Sequence, residues 1–172
     1  DALHVDLWVD GENLLRDGGS YTYADLGGEF DGYFSGTAAH NTVQFDGRDQ
    51  MPRISRFLFG SWLKTSECSA LEESGESLSA QAAYRDGEGA EHSREVTMSN
   101  QRLRVVDRID GDWSTAVLRW RLRPGEWQLD SDSVRLGQEV LAVESTSRVV
   151  RMELVEGWES RHYLEKTRIP VL

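Results

Sequence analysis

The feature that most constrains the fold is a rhythm of short alternating segments separated by turn dipeptides, which runs from about residue 80 onward. Asp86-Gly87, Asp110-Gly111 and Glu156-Gly157 are interpreted as turn pairs, and the segments between such pairs are short for helices. Apolar and polar residues that alternate with period two indicate half-buried strands. The predicted strands span residues 80–85, 92–99, 101–109, 115–123, 125–129, 133–136, 139–144, 147–154 and 162–166.

The first part of the chain carries the same pattern less regularly. Residues 3–9 alternate, which predicts a strand whose polar side chains, His4 among them, face solvent. A second short strand begins at Asn13, and residues 42–45 alternate again before another turn pair. Residues 17–37 lack periodicity and predict a long loop, which in a compact domain is usually functional.

No convincing amphipathic helix is present. Residues 66–79 could form a polar edge strand or a loop, and residues 66–83 are the one stretch where a helical turn would be unsurprising. The length of 172 residues suits one domain and allows a sizeable core. We therefore predict an all-β fold: a single large antiparallel β-sandwich, of super-β-sandwich type, across residues 1–172 with little or no helix.

Charge and composition exclude several classes of partner. The formal net charge of −11 argues against nucleic acid and against an anionic membrane, since both require a basic surface. No apolar run approaches the ~18 residues of a membrane span. The single cysteine, Cys68, rules out an internal disulfide and is expected to be a partly buried small residue.

One local excess of positive charge stands out in this acidic chain. Arg48, Arg53, Arg56 and Lys64 lie close together in sequence among large apolar residues. They could contact an anionic ligand, because binding needs only a local cationic patch. They could equally form a solvated strand face with scattered salt bridges, and the sequence favours this second interpretation.

Asp17 and His40 form the first pair that could carry chemistry. Asp17 follows a predicted strand and His40 precedes one, so both lie at strand ends, where loops build sites on a rigid scaffold. A carboxylate and an imidazole can share a divalent metal such as zinc, although a stable site needs at least one further ligand. Taken alone, the residue types favour ordinary roles: a turn cap and a hydrogen-bonded histidine.

The sequence also contains blocks that occur together in a known family. The early blocks are residues 1–8 (DALHVDLW), 11–21 (GENLLRDGGSY) and 33–43 (YFSGTAAHNTV). Shorter pieces follow at residues 92–96 (HSREV), 106–109 (VDRI) and 157–160 (GWES). In this order and combination they resemble the heparinase II/III-like family of polysaccharide lyases, over nearly the whole chain.

The resemblance implies an architecture and an activity. Such lyases join an amino-terminal α-helical toroid to a carboxy-terminal antiparallel β-sandwich, and they cleave uronate-containing polysaccharides by β-elimination. The chain would then be the β-domain, without the helical domain that supplies the Tyr base and most groups that neutralise the carboxylate. No catalytic residue is therefore assigned, and the isolated chain is expected to be inactive.

The resemblance also implies a metal, often zinc, in the β-domain. Its ligands in the family are an Asp before a glycine-containing turn, matched by Asp17, and the His of a His-Asn-Thr block, matched by His40. A third, from a His-Ala-Asp block whose Asp corresponds to Asp1, would fall just ahead of residue 1. Gly18 stands where the family often has Pro, which should loosen the turn.

The remaining expectations concern substrate and setting. Tyr33, Arg48 and Arg53 are the candidate substrate contacts. Tyr21, Tyr23 and Tyr33 could each touch the sugar or pack against their own loop, and packing is favoured for Tyr21. The substrate would be an acidic polysaccharide, met in the periplasm or outside the cell. Loss of the helical domain should expose an apolar patch and favour a homodimer. The alternatives are a non-catalytic carbohydrate-binding module and a purely structural β-sandwich.

Overall fold

The computed structural model describes residues 2–24, 30, 32–55 and 57–172, and the secondary structure there is almost wholly β. All pairings between its strands are antiparallel, and the one helical segment in these ranges is a 3₁₀ helix, Thr37–Ala39. The prediction of an all-β fold with little or no helix is confirmed. The strands are β1 (Leu7–Val9), β2 (Glu12–Leu15), β3 (Val43–Phe45), β4 (Arg53–Ser55), β5 (Leu58–Phe59), β6 (Lys64–Cys68), β7 (Glu72–Ser74), β8 (Ser77–Arg85), β9 (Ala90–Ser99), β10 (Arg102–Gly111), β11 (Ala116–Leu118), β12 (Gln128–Leu129), β13 (Ser133–Leu136), β14 (Glu139–Ala142), β15 (Val155–Glu159) and β16 (Thr167–Val171).

The chain divides into two compact units, which are described separately. The long-sheet unit comprises the residues up to His4 together with Thr42–Leu118. The terminal unit comprises Val5–Asn41 and Arg119–Leu172. The assignment of residues 1–172 to a single domain stays a prediction.

The long-sheet unit is built around one sheet with the strand order β10-β9-β8-β6, in which β7 also pairs with β8. Strands β9 and β10 are ten residues each and pair in continuous register, because a short turn joins them directly. The smaller pair of β3 and β11 carries the core of this unit. Val43, Phe45 and Ala90 are buried there, and Trp113 and Leu118 pack against them.

The terminal unit consists of three small sheets and the loop that carries Asp17 and His40. The hairpin of β1 and β2 turns at Asp10 and Gly11, which both have positive φ and so give the twist that a two-residue hairpin requires. Strand β15 pairs with β16, and β12, β13 and β14 form a meander. An isolated antiparallel bridge joins Leu15 to Leu122, and both side chains are buried.

Several predicted strands differ from those observed. Neither residues 147–154 nor residues 162–166 form a strand; the strands of this region are β15 and β16. The error arose at Glu156-Gly157, which was interpreted as a turn but lies inside β15. A Cβ on Gly157 would lie 2.6 Å from a methyl carbon of Val171, so this glycine permits close packing within a hairpin.

Residues 66–79 form the polar edge strands that the sequence allowed: they contribute to β6 and β7, which both pair with β8, and residues 66–83 contain no helical turn. One further expectation is corrected. Cys68 is exposed on β6 rather than partly buried. Within the described residues, no helix is long and apolar enough to cross a bilayer.

Candidate metal centre

Asp17 lies two residues beyond β2, and both of its carboxylate oxygens are engaged. Oδ1 accepts a hydrogen bond of 2.6 Å from the backbone N–H of Gly19, which closes a tight turn typical of Asp. Oδ2 lies 2.7 Å from Nδ1 of His40. The predicted convergence of an acid and an imidazole is therefore observed. The turn fixes the direction in which the carboxylate points.

His40 directly follows the 3₁₀ helix, and Ala39, the last residue of that helix, is hydrogen-bonded to the turn at Asp17. The backbone N–H of Gly18 donates to the carbonyl of Ala39 at 2.9 Å, and the Gly18 carbonyl accepts from Ser160 at 2.8 Å. A Cβ on Gly18 would lie 2.7 Å from the Ala39 carbonyl oxygen, so only glycine allows this approach. The family resemblance predicted that glycine at position 18 would loosen this turn. The turn is instead held on both sides, by Ala39 and by Ser160.

Asn41, the next residue, holds three backbone segments together and so supports both sides of the pair. Its amide nitrogen donates to the carbonyls of Val5, at 2.8 Å, and Arg16, at 3.2 Å. Its amide oxygen accepts the backbone N–H of Arg121 at 2.6 Å. The side chain is fully buried, so each of these bonds replaces one that water would otherwise make.

His4 belongs to the long-sheet unit, and the sequence placed it on the polar face of a strand. The expectation that His4 faces solvent is wrong, since the residue is half-buried. It assumed unbroken alternation through residues 3–9, whereas Leu3 has a φ of 59° and β1 begins only at Leu7. A residue with positive φ turns the backbone, so the side chain of the next residue does not point to the face that regular strand alternation would give it.

The chemistry of Asp17 and His40 suits a divalent metal ion. An imidazole and a carboxylate are ligand types that zinc accepts, and a stable site needs at least one further ligand. The His40 side chain is 8% exposed and that of Asp17 is 37% exposed, so the site is partly shielded but open to solvent on the carboxylate side. Asp17 and His40 therefore form a potential metal-binding pair. The further histidine expected ahead of residue 1 lies outside the sequence and stays a prediction.

The comparison with protein families gives a direct result. The family model described as heparinase II/III-like, C-terminal, matches residues 1–169. The chain belongs to this family. The predicted family resemblance is thereby confirmed over nearly the full length. No curated protein matches the chain significantly.

Solved structures with the same fold come from heparin and heparan sulfate lyases. The heparan sulfate lyase HepC from Pedobacter heparinus aligns with a TM-score of 0.79 at 18% identity, over 98% of this chain and 26% of that one. A heparinase III gene product aligns with a TM-score of 0.73 at 21% identity, over 96% and 26%. A further heparinase III aligns with a TM-score of 0.72 at 18% identity, over 96% and 26%. At these identities the likeness establishes the fold, and the family member described here spans about a quarter of each lyase.

Tyr33, a predicted substrate contact, serves the packing of its own unit. Its hydroxyl oxygen accepts the backbone N–H of Trp158 at 3.0 Å and a guanidinium N–H of Arg121 at 3.4 Å. Its ring meets those of Phe30 and Phe34 edge-on. The interpretation that Tyr33 packs against its loop thus has direct structural support, and contact with a substrate stays a prediction.

The predicted cationic contacts have different surroundings. Arg48 is bonded to Asp46 at 2.8 Å and to Asp86 at 2.6 Å, so its charge is already compensated within the long-sheet unit. Arg53 begins β4 and is half-buried. Arg56 lies outside the described residues, and Lys64 begins β6 in an exposed position. The role of Arg48 and Arg53 in substrate binding stays a prediction.

His92, to which the sequence assigns only a structural hydrogen bond, lies in a buried network in the long-sheet unit. Its Nε2 is 2.6 Å from Oδ1 of Asp107 on the neighbouring strand. Arg94 donates to both oxygens of the same carboxylate, at 2.7 and 3.0 Å. The predicted structural hydrogen bond is therefore present. The sequence could have indicated it, because His92, Arg94 and Asp107 alternate on one face of two paired strands.

Proposed function

We propose that this chain is the carboxy-terminal β-domain of a polysaccharide lyase that cleaves uronate-containing polysaccharide by β-elimination. In this proposal the chain contributes a metal site and part of the substrate cleft. The observation that carries it is the convergence of Asp17 and His40, whose Oδ2 and Nδ1 atoms lie 2.7 Å apart, in a member of the heparinase II/III-like family. The names of the structural relatives, which are heparin and heparan sulfate lyases, support an anionic polysaccharide as the substrate class.

We propose zinc as the metal that these residues hold. Zinc accepts mixed nitrogen and oxygen ligands, and catalytic zinc sites commonly offer three protein ligands and one open position. When bound, the ion would supply a fixed positive charge that lowers the energy of negative charge developing on the uronate carboxylate.

The chain's own residues would prepare this site rather than perform the proton transfer. Asp17 is oriented by Gly19, and His40 is set by the adjacent Asn41 and by the contact of Gly18 with Ala39. The base must lie within hydrogen-bond reach of the proton α to the carboxylate, and we assign it to a helical domain of the parent enzyme. The periplasm or the extracellular space, where acidic polysaccharides are met, is the proposed location.

Metal analysis of single variants tests the site. We expect Asp17→Asn and His40→Gln each to lower bound zinc by more than tenfold at a fixed low zinc concentration, because each removes one of few ligands. Elemental analysis after dialysis measures the metal content. His162→Gln is the matched control, since it removes an exposed histidine outside the pair. Equal zinc content in all four proteins would remove the site hypothesis.

Activity assays test the division of labour between domains. The purified chain should give no detectable unsaturated-uronate absorbance on heparin, heparan sulfate or alginate, because the proposed base is not part of it. A parent enzyme that includes a helical domain should be active, and Asp17→Asn in that parent should reduce kcat more than KM. Product formation by the chain alone would overturn this assignment.

A second candidate function, non-catalytic carbohydrate binding, is favoured by one observation. Tyr23 and Tyr163 are both more than half exposed and stack with their ring centroids 6.1 Å apart. Such a pair offers a flat apolar face to a sugar ring. If Tyr163→Ala weakened polysaccharide binding and His40→Gln left it unchanged, this function would be favoured over the lyase proposal.

A further inference from the structure

A cleft of about 340 Å³ opens beside the hairpin of β1 and β2, and the residues that line it belong to the terminal unit. A volume of this size suits a small ligand, or one unit of a longer ligand. We name it the arginine cleft, because its lining includes Arg16, Arg123 and Arg161. Trp8 and Glu12 also line it. Three cations in one cleft are unusual in a chain whose net charge is −11.

Arg123 is oriented by its own unit but keeps its terminal nitrogens available. Its Nε donates to both carboxylate oxygens of Glu139, at 2.9 and 3.2 Å. Its backbone N–H donates to the carbonyl of Leu14, and its carbonyl accepts the indole N–H of Trp127, both at 2.9 Å. Within the described ranges, neither terminal nitrogen of the guanidinium forms a hydrogen bond. A guanidinium fixed in this way can bind a carboxylate or a sulfate through two parallel bonds.

The three arginines differ in how their charges are compensated. Arg16 is paired with the buried carboxylate of Glu159 at 2.6 Å. Arg161 is exposed and forms no ion pair with any residue that the structure describes. The lining carboxylate of Glu12 is 66% exposed and lies 3.8 Å from Nε of Arg123, and a pair so exposed contributes little. An incoming anion can therefore displace Glu12 into solvent and meet the guanidinium groups of Arg123 and Arg161.

Trp8 adds an aromatic face to the same cleft. It lies on β1, opposite Asn13 of β2, and more than half of its surface is exposed. A single exposed aromatic residue is ordinary on a protein surface. Its position beside guanidinium groups favours a ligand with two features: a ring whose C–H face the indole covers, and an acidic substituent that the arginines bind. An acidic sugar has both features.

We propose that the arginine cleft is a subsite for an acidic sugar, in which Arg123 and Arg161 bind the carboxylate or sulfate and Trp8 covers one face of the ring. This inference rests on the proposed function, to which it adds residues that recognise the polysaccharide. Recognition at the cleft requires neither a metal nor the catalytic base. The purified chain should therefore bind an acidic oligosaccharide without cleaving it.

A comparison of oligosaccharides tests the class of ligand. We expect the purified chain to bind a heparin hexasaccharide at least about tenfold more tightly than neutral cellohexaose, because charge-assisted bonds to arginine require an anion. Isothermal titration calorimetry measures both affinities. A hyaluronan hexasaccharide carries carboxylates but no sulfate: binding close to that of heparin assigns the carboxylate, and much weaker binding assigns the sulfate. Equal binding of heparin and cellohexaose would overturn the proposal, as would inorganic sulfate binding as tightly as heparin.

Substitutions of exposed residues locate the binding surface. Arg161→Gln and Trp8→Ala should each weaken heparin binding about fivefold to tenfold. Arg148→Gln is the matched control for charge, since Arg148 is also exposed and forms no ion pair within the described part of its unit. Tyr163→Ala is the matched control for an aromatic face, because Tyr163 is 57% exposed and Trp8 is 58% exposed. Losses in the controls as large as those in the cleft variants would contradict the proposal.

Two further changes act on the cleft without removing a positive charge. Glu12→Gln should raise the affinity for heparin about threefold, because the anion no longer competes with a carboxylate, and misfolding would not produce such a gain. Glu156→Gln, at another exposed carboxylate that pairs with an arginine, is its control. Arg123→Lys keeps the charge but loses the two terminal nitrogens, so binding should weaken about fivefold. Arg135→Lys, at another arginine bonded through Nε, should leave binding unchanged. Unchanged affinity in both Glu12→Gln and Arg123→Lys would contradict the assigned contacts.

The outcomes distinguish this inference from the proposed function. In a parent enzyme with lyase activity, Trp8→Ala combined with Arg161→Gln should raise KM more than it lowers kcat, because the cleft binds substrate away from the reacting atoms. If the parent is active and KM is unchanged in this variant, only the subsite fails. If the chain binds heparin at the cleft but the parent cleaves no polysaccharide, the proposed function fails and the subsite stands. A wild-type chain that binds neither acidic hexasaccharide refutes the subsite, whatever the activity of the parent.

Discussion

At the scale of single residues, the candidate centre depends on small groups that bring backbones close together. Gly18 allows the Asp17 turn to touch Ala39, and Asn41 joins three segments with one amide. Neither residue carries a ligand atom. Their contribution is to hold the acid and the imidazole 2.7 Å apart, which neither side chain could achieve from a flexible loop.

The contact at Gly18 gives a prediction about stability. Gly18→Ala would bring a Cβ to within 2.7 Å of the Ala39 carbonyl oxygen and force the two backbones apart. We expect the free energy of unfolding to fall by about 1–3 kcal/mol. Urea denaturation measures it, with Ser20→Ala at a nearby exposed position as the control. Equal stability of Gly18→Ala and the wild type would show that the turn has room to adjust.

At the scale of elements, β9 and β10 combine regular pairing with a buried ionic network. Burial alone would raise the pKa of Asp107, but hydrogen bonds from His92 and Arg94 hold it below its ordinary value. Burial lowers the pKa of His92, and this effect outweighs the attraction of Asp107. The carboxylate is therefore charged and the imidazole neutral at neutral pH. Two strands in continuous register place all three groups on one face.

The state of His92 predicts a dependence of stability on pH. Because its pKa is lowered in the folded chain, the unfolded state takes up a proton first, and stability falls as the pH drops below about 6.5. This one group contributes at most about 1.4 kcal/mol per pH unit. Urea denaturation at about pH 7 and about pH 5.5 should show a smaller loss in His92→Gln than in the wild type. Identical losses in the two proteins would contradict the assignment.

At the scale of the whole molecule, one segment of the long-sheet unit exposes four large apolar side chains close together in sequence. Ile54, Phe57, Leu58 and Trp62 all lie within or just after the hairpin of β4 and β5, and Phe57 is 73% exposed. Large apolar groups so exposed and so close in sequence are typical of surfaces that meet another protein. The expected partners are a helical domain of the parent enzyme or a second copy of the chain.

This segment predicts how the isolated chain behaves in solution. We expect the chain to self-associate as its concentration rises, and the double variant Phe57→Ser with Trp62→Ser to shift towards monomer. Sedimentation velocity over a hundredfold range of concentration measures the distribution. Trp8→Ser is the control, since Trp8 is also exposed but lies on β1. A wild-type chain that stays monomeric throughout would refute the predicted homodimer.

The class of the fold and much of the strand order could be predicted from the sequence. Period-two alternation and turn dipeptides are local signals, so β9, β10, β13 and β14 lie close to their predicted ranges. Glu156-Gly157 carried the same local signal, but it does not form a turn. Its glycine instead allows close packing against Val171 of the neighbouring strand. Local pattern cannot distinguish these two uses of glycine.

In the candidate site, too, one part of the arrangement could be predicted from the sequence and another part could not. The sequence alone determined that Asp17 and His40 lie at strand ends, where an acid and an imidazole could meet, because strand boundaries depend on the residues nearby in the sequence. Only the tertiary structure decided that they do meet. The side chain of Asn41 holds the backbones at Val5, Arg16 and Arg121 together, and Arg121 lies 80 residues away in the chain. Contacts so distant in the chain leave no periodic trace in the sequence.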